Sequence, residues 1–175
     1  MTFVPVSLTV VKLIAMTQRI VDAYVGGVTM HVVFTDVKDE PQELPGPVCE
    51  FMVPRLVPSV EKDFTLHDGW LMDLRFKMPV DTERTGAAAS QAYSQIMEHA
   101  AEIFGAFLDE YILATTNYYN GDRLNLKIDP ALPPVIEEFV DDGTANVSGC
   151  RLTFIIRDNA NRCLKDVALF PSLHA

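Results

Sequence analysis

The chain has 175 residues, 49% of them hydrophobic and 22% charged, with a net charge of −10. That length suits one domain over 1–175, able to bury about 70% of the surface its unfolded chain exposes, and the composition is too apolar for disorder. The 14 basic residues are scattered singly among 24 acidic ones, which speaks against a nucleic-acid binder with Lys and Arg gathered on one face.

The first predicted element is a helix from Ser7, a capping residue type, to about Tyr24. Val10, Leu13, Ile14, Thr17, Ile20, Val21 and Tyr24 recur at three and four residues, as one buried stripe requires. The apolar run 3–15 lacks a basic leader and is broken by Lys12, so it reads as a helix of the fold and not as a signal peptide. No apolar run reaches the ~20 residues of a bilayer span. Gly26-Gly27 stops the helix, and the β-branched alternation of 28–35 predicts a strand.

Asp36, Asp39, Glu40 and Glu43, with Pro41, Pro45 and Gly46, predict an exposed acidic loop over 36–47. Strands come next at 48–57 and 70–80, separated by a polar excursion, 59–69, expected as a second exposed loop. Pro54 and Pro58 confine the first of these strands to a sheet edge or end it early. In the second, Trp70, Met72, Leu74, Phe76 and Met78 form one apolar face.

A long helix is predicted over 87–114, with Tyr93, Ile96, Met97, Ala100, Ile103, Phe104, Phe107, Leu108 and Tyr111 as its buried stripe. Polar residues and an Asn-Gly turn come after it, then short strands at 124–128 and 135–140 and a last strand at 150–157. The tail 163–175 reads as extended. Strands run together between helices with short connections, which predicts an α+β fold: an antiparallel or mixed sheet packed with an N-terminal helix and one long central helix.

No constellation of catalytic residues emerges. His31, His67 and His174 have no evident partners; His99 lies beside Glu98 and three residues before Glu102, a spacing far more common on a solvated helix face than in a metal site. Cys49, Cys150 and Cys163 are odd in number and lack CxxC spacing, so they read as reduced thiols, with Cys150 as buried filler. Gly26-Gly27 lies between helix and strand, the reverse of a phosphate-cradling loop. Neither a catalytic residue nor a cofactor nor a metal is expected.

The segment 137–163 carries Asp141-Asp142, Gly149, the strand Leu152-Thr153-Phe154-Ile155 and an Asn161-Arg162-Cys163 end. It resembles the closing strand of small structural proteins of tailed bacteriophages, of the tail-terminator and neck-ring kind, and the element order resembles tail terminators as well. The resemblance implies a non-enzymatic virion protein, made in the bacterial host cytoplasm. It would form a ring with copies of itself, sixfold or twelvefold, at the head–tail junction or tail end. Its neighbours would be portal, neck or tail-tube proteins, genomic DNA would pass through as cargo, and no membrane would be involved.

Candidate intersubunit residues are Asp36, Asp39, Glu40 and Glu43 of the first loop, and Asp141 and Asp142 of a second acidic turn. Tyr118 and Tyr119 could anchor a neighbour or cover their own core edge. Arg123, Arg151, Arg157 and Arg162 could supply the complementary charge. The competing reading is an acidic, dimeric α+β module that holds a partner polypeptide, as secretion chaperones do.

Overall fold

The computed structural model describes residues 8–34, 46–60, 66–79, 86–113, 118–119, 122–123, 126–138 and 147–162. Helix α1 spans Val10–Ala23, and its N-cap is Thr9, whose hydroxyl accepts the Lys12 N–H at 3.3 Å; Ser7, the expected cap, lies outside the described residues. Leu13, Met16, Thr17, Ile20 and Val21 are its buried stripe. Thr17 sits in that apolar stripe without an unmet donor because its hydroxyl donates to the Leu13 carbonyl at 2.9 Å. The helix ends where the Tyr24 N–H donates to the Val21 carbonyl at 3.1 Å, and Gly27 turns the chain with φ of +73°.

Three long strands dominate the sheet. After β1 (Thr29–Val33) come β2 (Val48–Val60) and β3 (Leu66–Pro79), and the chain ends its described part in β8 (Val147–Arg162). Between them lie α2 (Gly86–Leu108), a π-helical turn continuing it (Asp109–Leu113), and four short strands: β4 (Tyr118–Tyr119), β5 (Asp122–Arg123), β6 (Leu126–Ile128) and β7 (Val135–Glu138). The sheet runs β1-β2-β3-β8, with β6 and β7 both paired along the outer side of β8; among the described residues, β4 and β5 pair only with each other. β1 is parallel to β2, and every other pairing is antiparallel, so the sheet is mixed. The α+β class expected from the sequence is the fold observed.

Two expectations change. The 59–69 excursion is largely strand: residues 59–60 end β2 and 66–69 begin β3, leaving only 61–65 outside the described residues. Its polar composition suggested a loop, but β3 is clamped between β2 and β8, and pairing on both sides outweighs weak intrinsic preference. Pro54 does not end β2 either. The register shifts between Met52 and Arg55, so Val53 and Pro54 together oppose Met72 in a bulge. β1 pairs with β2 only as far as Met52. Pro54 and Pro58 therefore occupy the half of β2 that has one described neighbour, where a missing N–H costs least.

The helices cover one face of the sheet. Cys49 and Phe51 of β2, Met72, Leu74 and Phe76 of β3, and Cys150, Leu152, Phe154 and Ile156 of β8 are buried beneath them. α2 contributes Ala92, Ile96, Ala100, Ile103 and Phe107. Phe154 is the hinge of this packing, with ring centroids 4.9 Å from Phe104 and 6.1 Å from Phe107. Tyr111, in the π-helical turn, is fully buried and donates its hydroxyl to the Met16 carbonyl at 3.4 Å, tying the end of α2 to α1.

Candidate intersubunit surface

Strand alternation sends the polar residues of β2, β3 and β8 to the face away from the helices. There Arg151 grips Asp73 with both arms of its guanidinium, Nε to Oδ1 at 2.9 Å and Nη2 to Oδ2 at 2.8 Å. Arg75 Nη2 stands 3.6 Å from the same carboxylate. Arg75 and Arg151 are direct cross-strand partners, so Asp73 screens two like charges that would otherwise repel. Lys77 pairs with Glu50 at 2.8 Å, and Arg157 with Asp129 at 2.6 Å. Asp129 is nearly buried and also accepts the Ala131 N–H at 2.8 Å, which fixes the turn after β6.

These pairs place two of the sequence candidates. Arg151 and Arg157, expected to reach a neighbouring copy, are held by Asp73 and Asp129 of their own chain. Arg162 lies in β8 opposite Leu66, Tyr118 and Tyr119 form β4, and Arg123 lies in β5 opposite Tyr118. Asp36, Asp39, Glu40, Glu43, Asp141 and Asp142 lie outside the described residues. The structure therefore draws Arg151 and Arg157 to one sheet face.

Residues that sequence reasoning passed over stand at the sheet's two ends. β1 shows its outer side with no strand beside it among the described residues, and Thr29, His31 and Phe34 are exposed. Phe34 keeps 73% of its surface, although it comes directly after the strand. At the far end, β7 leaves Val135, Glu137 and Glu138 exposed. The signal was present in the short β-branched runs 29–33 and 135–136, but nothing local says which side of a strand stays unpaired.

Elsewhere the Trp70 indole N–H is buried without a hydrogen-bond partner among the described residues, whereas His99 is engaged within the chain. His99 Nδ1 lies 2.8 Å from the Tyr24 hydroxyl, and the two rings meet edge to face with centroids 5.6 Å apart. Burial, with Glu102 and Glu98 nearby, raises the Tyr24 pKa above its ordinary value. Cys49 and Cys150 are buried free thiols. Burial pushes Cys150 up to about 12 and raises Cys49 as well, with Glu50 adding to the shift in Cys49. Among the described residues, no group of three or more His, Cys, Asp or Glu side chains is placed to hold a metal ion. No described helix is long and apolar enough to cross a membrane.

No family model matches this chain, and no curated protein matches it. Solved structures do match. One aligns with 91% of this chain and 100% of its own length, at 8% identity and a TM-score of 0.44. Its name describes no activity, ligand or partner, and a likeness of that size carries no functional argument.

Proposed function

We propose that this chain is a structural virion protein of a tailed bacteriophage, a ring-forming subunit at the head–tail junction or the tail end. The observation that supports the reading most is the pair of unlike sheet edges. β1 and β7 lie at opposite ends of one sheet, both exposed and neither paired on its outer side among the described residues. A subunit with two different complementary surfaces associates head to tail, and such contacts close a ring when the rotation per subunit permits. The resemblance of 137–163 to neck and tail-terminator proteins adds the setting. In this reading the protein acts through its shape: copies enclose a passage for DNA, and neighbouring neck or tail-tube proteins dock on the ring. The net charge of −10 suits a passage that DNA must not adhere to.

Native mass spectrometry and negative-stain imaging of the purified full chain test this. A closed ring of one defined subunit number is the expected result, with six or twelve as the numbers the resemblance implies. A dimer that captures an extended foreign polypeptide would instead support the partner-binding module. A strict monomer at all concentrations would remove the ring reading.

A further inference from the structure

We infer that the joint between copies is an antiparallel pairing of β1 of one chain with β7 of the next, in the register Met30 to Glu138, Val32 to Ile136 and Val33 to Val135. This names the contact for the ring proposed above and rests on that reading. The occupant of each edge is a second copy, for reasons of register, backbone direction and side-chain chemistry.

The strand pairings define rows across the sheet. His31 lies opposite Glu50, Glu50 opposite Arg75, Arg75 opposite Arg151, and Arg151 opposite Glu137. The same row therefore ends in His31 at one edge and Glu137 at the other. The row beside it runs from Val33 through Met52, Asp73 and Thr153 to Val135. Toward the helices, the row through Phe51, Leu74 and Leu152 ends in Val32 and Ile136. Carrying these rows into a neighbouring copy sets valine against valine, valine against isoleucine, and imidazole beside carboxylate. Cross-strand pairs of these kinds are favourable.

Backbone direction is consistent with the same register. Thr29 N–H donates to the Pro47 carbonyl at 3.0 Å, so Thr29, His31 and Val33 direct their backbone groups toward β2. Met30 and Val32 consequently direct theirs outward. On the other side, Asp129 N–H donates to the Ile155 carbonyl at 2.8 Å, so Ile155, Thr153 and Arg151 of β8 face the β6–β7 side. Their partners Val135 and Glu137 turn inward to β8, and Ile136 and Glu138 turn outward. The outward residues of β1 thus meet the outward residues of β7, Val32 with Ile136 and Met30 with Glu138. Those are the pairs that must exchange hydrogen bonds in both directions in an antiparallel ladder. The strand directions also fit: β1 is parallel to β2, and three successive antiparallel pairings leave β7 running opposite to β1.

The two edges are protected unequally against pairing. β1 contains neither proline nor lysine in Thr29-Met-His-Val-Val33. β7 carries Glu137 and Glu138, which discourage pairing with most edges and suit one that offers His31.

A register-specific disulfide tests the joint. In this register His31 and Glu137 form a non-hydrogen-bonded pair with Cα atoms about 4.5 Å apart, close enough for a disulfide. Within one chain four strand spacings separate them, about 19 Å, so only an intermolecular bond can form. Full-length H31C and E137C, each also carrying C163S, are mixed and mildly oxidised, with H31C plus S94C as the control pair. The expected result is a heterodimer from the first mixture at least tenfold above the control. Val32→Pro should abolish that band and lower the assembled mass, because it removes an outward donor and leaves the β1–β2 bonds intact. An assembled wild type with no band above control would overturn the joint while leaving the ring reading in place. The band together with open-ended chains would support the joint and sink the ring. A monomeric wild type with no band would overturn both. A foreign polypeptide cross-linked to H31C in place of a second copy would assign the edge to a client and overturn the proposal.

Discussion

Asp73 is the residue on which the polar face of the sheet depends. It is 6% exposed, yet it is ionisable, and Arg151 satisfies both of its oxygens. Removing one member of such a pair is most costly when the buried partner is left behind, so Arg151→Ala, which strands Asp73, should cost on the order of 3 kcal/mol. Arg151 is partly exposed and can turn to water, so Asp73→Ala should cost less than Arg151→Ala. Urea melts of both variants and of the double variant measure the coupling, and a double variant no worse than either single one is the expected outcome. The buried thiols give a second residue-scale prediction. Their folded pKa values are raised by burial, so the stability they contribute is fully present below the ordinary thiol value of 9.0. For Cys150 it is lost as pH rises from there toward about 12. Each thiol should remove about 1.4 kcal/mol of unfolding free energy per pH unit in that window. Denaturant melts between pH 8 and 10.5, compared with Cys150→Ala, check the slope. A thiol reagent at pH 8 should label neither Cys49 nor Cys150 until the protein is unfolded.

At the scale of elements, the helices and the sheet make different demands on sequence. α2 was legible because Ile96, Ala100, Ile103 and Phe107 recur with the helical period, and that face is what the sheet buries. Two buried helix residues, Met16 and Ala92, fell outside the predicted stripes because an apolar stripe is broader than a row of the most obvious positions. Phe154→Ala should cost about 3–5 kcal/mol by removing the ring against which Phe104 and Phe107 pack. The strand system is tight in another place. A Cβ on Gly69 would stand 2.7 Å from the Val57 carbonyl oxygen and 3.2 Å from Ile155 Cγ2. Backbone cannot retreat as a flexible side chain can, so Gly69→Ala should destabilise by about 1–3 kcal/mol despite adding only a methyl group. Thermal melts rank the two substitutions, Phe154→Ala falling further than Gly69→Ala.

Over the whole molecule, charge is sorted by element. The segment 86–113, comprising α2 and its π-helical turn, contains neither lysine nor arginine and exposes Glu98, Glu102, Asp109 and Glu110. Arg19 of α1 answers one of these, 3.0 Å from Glu110, on the surface, where such a pair adds little. Four of the basic residues scattered in the sequence, Arg75, Lys77, Arg151 and Arg157, lie on the opposite face of the sheet, each with a carboxylate of the same chain. Cations already engaged by carboxylates release few counterions from DNA. Duplex DNA should therefore bind weakly and with a shallow salt dependence, measurable by fluorescence anisotropy between 50 and 200 mM salt. Tight binding with a steep slope would contradict both this and the idea of a passage that DNA slides through.

What the sequence determined by itself was periodic and local: the two helices, the apolar face Trp70 to Met78, the turn at Gly26-Gly27, and the α+β class. Those features depend on neighbours three or four residues apart, or two apart, and are written directly in the chain. What the tertiary structure decided was pairing. That 66–69 is strand, that Pro54 sits in a bulge beyond the reach of β1, that Arg151 answers Asp73, and that His31 and Glu137 end the same row all depend on register between distant segments. A shift of one residue in any of those registers would turn the side chains to the other face. No local pattern encodes that choice; it is set by burying Phe51, Phe76 and Phe154 together beneath the helices.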